Sequence, residues 1–82
     1  MEDWSKHDIK FRYMMLSRLK MDCNFYLGHG NRNAMQLWAC NEKDQIENMK
    51  ALWNTFDPDD KPEWLTWNEL MDYAERMGVE FE

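Results

Sequence analysis

The chain has 82 residues, 44% of them hydrophobic and 15% aromatic, and it carries a net charge of −6 at neutral pH. So many aromatic residues exclude a disordered chain, and the length fits a single domain. The acidic balance makes general nucleic-acid binding unlikely as a function, because that binding depends on neutralising phosphates.

The first predicted helix covers residues 6–27, with Ser5 or Asp8 as its N-cap. Apolar residues recur at helical spacing and spread around most of the cylinder, which is typical of a helix at the centre of its domain. Arg12, Lys20 and Asp22 indicate its more hydrated side. The apolar set is Ile9, Phe11, Tyr13, Met14, Met15, Leu16, Leu19, Cys23, Phe25, Tyr26 and Leu27.

The stretch "GHGNR" follows this helix. Gly28 is predicted to end the helix in a left-handed conformation, and Gly30 supplies a second turn signal. A phosphate-binding loop is the alternative, with Arg32 adding charge. We favour the turn, because neither the P-loop nor the dinucleotide motif is present and the dipole at a helix C-terminus repels anions.

Two more helices are predicted, at about residues 41–56 and 66–77. Asn41 caps the first of them, and Thr66 with Glu69 forms a capping box for the second, which Gly78 ends. Residues 35–39 form either a helical turn or an extended piece. Residues 57–64, "DPDDKPEW", interrupt the helical pattern and form an irregular connection. We therefore predict a compact all-α single domain, 1–82, of three main helices with an irregular Pro/Asp-rich connection.

No constellation typical of catalysis or metal binding appears. Cys23, Cys40, His7 and His29 lack the close pairwise spacing of zinc ligands, and Cys23 is expected to pack as a small hydrophobe. A Cys–His nucleophile pair lacks a third orienting residue, and the acidic run lacks the glycine of a calcium loop. We expect no metal, no cofactor and no enzymatic activity.

The location is predicted from what the sequence lacks. It has no stretch of about 18 apolar residues and no apolar export signal at "MEDWSKHDIK". These features predict a cytoplasmic protein with no membrane partner and two reduced thiols.

Charge divides the chain into two unlike parts. Residues 1–33 hold six basic and four acidic residues, whereas residues 34–82 hold four basic and twelve acidic ones. Arg12, Arg18 and Arg32 are the candidate contact residues of the basic part, because a guanidinium suits carboxylate or phosphate. For Arg12 and Arg18 we favour local ion pairs with Asp8 and Asp22, each four residues away.

The segments "KFRYMMLSRLKMDCNFYLGHGNR", "LWA" and "KPEWLTWNELMDYAERM" resemble one of the large polyvalent protein-associated domain families. The resemblance covers residues 8–77 approximately. It implies a small domain of phages and conjugative elements of Bacteroides-type bacteria, found alone or within very long proteins. It implies no activity. The matching positions include Phe11, Arg12, Tyr13, Ser17, Arg18, Asp22, Cys23, Tyr26, Leu27, Gly28, Gly30, Arg32, Leu37 and Trp38.

Two functional hypotheses follow. The first is a non-enzymatic module that binds a protein partner through the exposed edge of the first helix and the loop, with Arg18, His29, Asn31 and Arg32 as contacts. The alternative is a small acidic inhibitor of a host defence nuclease, in which acidic side chains imitate DNA phosphates. Its acids would be Asp57, Asp59, Asp60, Glu63, Asp72 and Glu75.

Overall fold

The computed structural model describes residues 3–29 and 31–81. It contains three α-helices, α1 (Ile9–Gly28), α2 (Glu42–Asn54) and α3 (Trp67–Arg76). Short 3₁₀ turns occur at Trp4–Lys6, Ala34–Gln36 and Pro58–Asp60. No strand occurs within these two ranges, so the predicted all-α class is confirmed.

The start of α1 lies three residues later than predicted, because the preceding residues form a separate 3₁₀ turn. Asp3 caps that turn by accepting a hydrogen bond from the backbone N–H of Ser5 at 3.1 Å. Asp8 occupies the N-cap position of α1, but its side chain makes no capping bond. Neither candidate cap therefore stabilises the start of α1 through its side chain.

The end of α1 also differs from the prediction. Gly28 is the last helical residue and is not left-handed. The left-handed residues are Asn31 and Arg32, with φ of 54° and 57°. The backbone N–H of Arg32 donates to the carbonyl of Tyr26 at 3.1 Å and so closes the turn. Gly30, the other predicted turn residue, lies outside the described residues.

Helix α2 begins as the sequence predicts. The side-chain oxygen of Asn41 accepts a hydrogen bond from the backbone N–H of Asp44 at 2.8 Å. On its buried face lies Gln45, whose amide donates to the Leu19 carbonyl of α1 at 3.2 Å and accepts from the Ala39 N–H at 3.0 Å. This one amide therefore joins α1, α2 and the segment between them.

Helix α3 carries both of its predicted end signals. The Thr66 and Glu69 side chains form a reciprocal capping box. At the other end Gly78 has φ of 78°, and the N–H of Val79 donates to the Ala74 carbonyl at 2.8 Å. This is the Schellman arrangement, which satisfies the last carbonyls of a helix.

The core lies between α2 and the facing sides of α1 and α3. The Tyr73 hydroxyl of α3 donates to the Asn24 side chain of α1 at 2.6 Å, which joins these two helices directly. Val79 and Phe81 pack the C-terminal segment against the core. The largest fully buried aliphatic side chains are Leu16, Leu19, Ile46, Met49, Leu52, Leu65 and Leu70.

Candidate interaction surface

One side of α1 faces water although it is apolar. Met14, Met21 and Phe25 are 59%, 66% and 45% exposed. Because an α-helix turns by about 100° per residue, these three side chains lie on one side of the helix. Arg18 lies between them and is exposed. We call Met14, Arg18, Met21 and Phe25 the outer face.

The flanks of α1 are covered by the rest of the chain. On one flank the ammonium of Lys20 donates to the Trp64 carbonyl at 2.6 Å, which brings the 57–64 connection alongside. On the other flank the backbone N–H of Trp38 donates to the Asp22 carboxylate at 3.1 Å. The two neighbouring segments therefore border the outer face and leave it in water.

Several cations that look available in the sequence are used inside the fold. Each lies over an aromatic ring and donates to a backbone carbonyl. The Arg12 guanidinium lies 5.3 Å from the Phe56 ring centre and donates to the Thr55 carbonyl at 3.1 Å. We call such a residue a carbonyl-bound cation. Among the contacts of residues 3–29 and 31–81, both conditions are met by Arg12, Lys20, Arg32 and Lys61.

The predicted ion pairs of α1 are wrong. Arg12 makes no ion pair with Asp8, because its guanidinium donates to the carbonyls of His7 at 2.9 Å and Thr55 at 3.1 Å. Asp22 accepts the Trp38 N–H, and no ion pair joins it to Arg18. The Arg18 guanidinium makes no hydrogen bond or ion pair with any residue of the two described ranges. Arg18 is therefore free to contact a partner.

Arg32 has a structural role that the sequence did not indicate. Its guanidinium donates to the Arg76 carbonyl at the end of α3 at 2.7 Å and lies 5.4 Å from the Tyr26 ring centre. A cation at a helix C-terminus is stabilised by the helix dipole. Arg32 therefore fastens the loop after α1 to the end of α3, although it remains exposed.

The same corner contains a tyrosine–carboxylate pair. The Tyr26 hydroxyl donates to the Glu42 carboxylate at 2.6 Å. This hydrogen bond lowers the pKa of Glu42, and nearby Arg32 acts in the same direction. The pKa of Tyr26 is raised, chiefly by burial and then by the bond to Glu42. These shifts belong to a structural link between α1 and α2.

The four predicted contact residues therefore divide into two groups. Arg18 lies in the outer face, and His29 follows it by eleven residues, which is three helical turns, with its ring 6.4 Å from Phe25. Asn31 is exposed on the adjoining loop. Arg32 instead turns toward α3. Sequence reasoning missed Met14 and Met21 as surface residues. Their spacing of seven, on the side opposite the buried leucines, is the signal that could have found them.

The cysteine and histidine side chains occupy unlike environments. Cys23 is fully buried beside the Met49 sulfur at 3.5 Å, and burial raises its pKa to about 12. Its predicted packing role is confirmed. Cys40 is exposed and left-handed. The His7 ring packs at a tilt against the rings of Trp4 and Phe11, with centroid distances of 5.7 Å and 4.7 Å. In the part of the chain that the structure describes, no three acidic, cysteine or histidine residues lie close enough to hold a metal ion.

A second surface is acidic. An open groove of about 590 Å³ runs between α3 and the C-terminal segment, and its lining includes Met71, Asp72, Glu75, Glu80 and Phe81. The six acids of the inhibitor hypothesis are all exposed. Within the described ranges only Asp72 among them forms an ion pair, with Arg76 at 3.7 Å.

Similarity to known proteins shows which family the chain belongs to. Across residues 3–29 and 31–81, no helix has both the length and the apolar character needed to cross a bilayer. No curated protein and no solved structure shows significant similarity to the chain. The family model for large polyvalent protein-associated domain 11 matches residues 9–77. Because that match covers most of the sequence, the chain belongs to the family of large polyvalent protein-associated domain 11.

Proposed function

We propose that this domain is a non-enzymatic protein-interaction module that binds its partner through the outer face of α1. The observation that carries the proposal is the exposure of Met14, Met21 and Phe25 around Arg18, which has no partner in the described residues. Exposed apolar groups clustered on one face are typical of interaction sites. Methionine, aromatic residues and arginine are also enriched at protein interfaces.

The adjoining loop supplies the edge of this surface. His29 continues the line of the outer face, and Asn31 presents a polar side chain beside it. Arg32 acts indirectly, because its bond to the Arg76 carbonyl positions the loop. The proposal therefore assigns partner contact to Arg18, His29 and Asn31, and a positioning role to Arg32.

The proposed setting is a phage or mobile-element protein in the cytoplasm of a bacterium such as a Bacteroides species. Membership of a polyvalent protein-associated family supports this setting. Two unpaired cysteines also fit a reducing compartment.

Charge and polarity substitutions on exposed methionines test the proposal. The tagged domain is incubated with nuclease-treated lysate of its source cells, and bound proteins are quantified by mass spectrometry. Met21→Glu places a charge in the outer face, whereas Met35→Glu is the matched control, because Met35 is 72% exposed elsewhere. We expect the wild type and Met35→Glu to retain the same stoichiometric protein and Met21→Glu to lose it. Equal retention by all three would refute the proposal.

A second candidate function is inhibition of a host defence nuclease by DNA mimicry. It is supported by the six exposed acids, of which Asp72 alone is ion-paired within residues 3–29 and 31–81. The double substitution Asp59→Lys and Asp60→Lys should then abolish capture of a nuclease that moderate salt also releases. Capture that survives this double substitution and moderate salt would exclude DNA mimicry.

A further inference from the structure

We propose that the occupant of the outer face is an amphipathic helix of a partner protein, with acidic residues along both edges of its apolar stripe. This inference rests on the proposed function and adds the chemical class of the partner. It follows from the shape of the outer face, from its charge, and from what a second copy of the chain would meet there.

The shape of the outer face fits a helix. α1 has 20 residues, which gives a length of about 30 Å. Met14, Met21 and Gly28 follow at steps of seven, the repeat of a seam between two helices, and Phe25 fills the gap between the last two. Gly28 has open space where a side chain would lie. Because both flanks are covered, this surface is a narrow, straight stripe along which a second helix can lie.

The charge of the outer face selects an acidic partner. Lys10 lies four residues before Met14, on the same side of the helix, and both Lys10 and Arg18 are exposed. Asp22, the one acid within Ile9–Gly28, is half-buried and already accepts the Trp38 N–H. The acidic surplus of the chain lies in residues 34–82, so a basic helix would be drawn to that part instead. Acidic residues on the partner complement Lys10 and Arg18.

A second copy of this chain is a poorer occupant. Arg18 lies near the middle of the stripe from Met14 to Phe25, so antiparallel pairing of two outer faces would bring the two Arg18 side chains close together. The like charges of the two Arg18 side chains oppose this pairing.

Two synthetic helices test the proposal. Each has about three heptads with Leu at positions a and d and Ala elsewhere, and carries either Glu or Lys at positions e and g. Like charges at these edges keep each peptide from pairing with itself. Binding of the labelled peptide to the full chain is measured by fluorescence anisotropy at low salt. We expect the Glu peptide to bind about tenfold or more tightly than the Lys peptide.

Three variants connect the binding to the outer face. Met21→Glu should abolish binding of the Glu peptide, and Arg18→Glu should remove its advantage over the Lys peptide. Met35→Glu should bind as the wild type does. All three positions are exposed, so circular dichroism should show the wild-type helix content in each variant.

The outcomes separate this inference from the proposed function. Equal binding of both peptides, stronger binding of the Lys peptide, or no binding of either overturns the acidic-helix proposal. A dimer in sedimentation equilibrium that Met21→Glu dissociates overturns it in favour of a second copy. In each of these cases loss of the captured protein by Met21→Glu would leave the proposed function standing. Retention of that protein by Met21→Glu refutes the proposed function whatever the peptides do.

Discussion

Helices α1 and α3 present opposite kinds of surface to water. The exposed side of α3 includes Asn68, Glu69, Asp72, Glu75 and Arg76, with Met71 as its one large apolar side chain. The exposed side of α1 is built around three large apolar side chains. A helix with one apolar stripe and one charged side buries its apolar surface when it packs on its own core. A helix with apolar residues on both sides has surface left for a second packing event.

The ends of the two helices are also defined by different kinds of contact. α3 begins with a side-chain capping box and ends at a left-handed glycine, so neighbouring residues define both ends. α1 begins without a side-chain cap, and its final turn is held by Arg32, whose guanidinium reaches α3. The boundaries of α3 are thus local, whereas α1 depends on the rest of the fold.

The largest difference in stability is expected between substitutions on the buried side and on the exposed side of α1. Leu16 is fully buried, so Leu16→Ala should lower the free energy of unfolding by about 2–5 kcal/mol through lost burial and a cavity. Met21→Ala should change it by no more than about 0.5 kcal/mol, because the side chain is already in water. Urea denaturation followed by circular dichroism measures both. Similar losses for the two variants would mean that the outer face contributes to the domain's own core.

The next largest difference in stability is expected between substitutions at the N-caps of α3 and α1. Thr66→Ala removes the capping box of α3 and should lower the free energy of unfolding by about 1 kcal/mol. Asp8→Ala should leave it nearly unchanged, because the Asp8 side chain makes no capping bond. Thermal unfolding of the two variants makes this comparison. A loss at Asp8 as large as that at Thr66 would show that α1 has a side-chain cap in solution.

The terminal glycines should respond with opposite sign. Gly78 has φ of 78°, so Gly78→Ala should lower the free energy of unfolding by about 1 kcal/mol through backbone strain. Gly28 is helical and has open space around it, so Gly28→Ala should raise the free energy of unfolding by about 0.5 kcal/mol. Denaturant titrations measure both changes. A loss of stability in Gly28→Ala would contradict the helical assignment of that residue.

The smallest effect concerns pH. Because the pKa of Glu42 is lowered in the folded chain, its contribution to stability is present above the ordinary carboxyl pKa and is lost as the pH falls through the lowered value. Tyr26→Phe removes the hydrogen bond that is the main cause. The variant should lose less stability than the wild type between about pH 5 and pH 3. The difference should stay below about 0.5 kcal/mol, because water screens the partly exposed carboxylate.

A parallel series with Glu42→Gln is the control for this pH experiment. It removes the titrating group and should reproduce the flatter pH profile of Tyr26→Phe. Identical profiles for the wild type and both variants would show that the Tyr26–Glu42 bond does not form in solution.

Sequence reasoning succeeded where neighbouring residues determine the structure. The caps at Asn41 and Thr66 and the turn at Gly78 depend on contacts within a few residues, and all three are confirmed. The orientation of α1 was not predictable in this way, because apolar residues surround most of the helix. It depends on Lys20 binding a carbonyl 44 residues away and on the Trp38 N–H reaching Asp22. The sequence predicts Arg12, Lys20 and Asp22 on the hydrated side, whereas in the structure all three are half-buried and the outer face is exposed.

The candidate site shows the same limit. Arg18 was selected as a guanidinium on the first helix, and the structure leaves it exposed. Arg32 is predicted as a contact on the loop after that helix, yet its guanidinium donates to a carbonyl 44 residues away. The residues next to Arg32 in the sequence do not reveal this bond. The difference arises only when the end of α3 is brought beside the loop.

The carbonyl-bound cations have a consequence for how relatives of this domain diverge. Each bond joins one side chain to a main-chain oxygen, and a substitution at the acceptor residue keeps that oxygen in place. The bonds therefore do not require the side chains of the acceptors Thr55 and Arg76. They do require the guanidinium groups of the donors Arg12 and Arg32. Across the family the basic positions and the rings beneath them should be retained while positions 55 and 76 drift. In an alignment of relatives, these tertiary contacts would then be visible as invariant basic residues. No acidic position would covary with them, because each acceptor is a main-chain carbonyl.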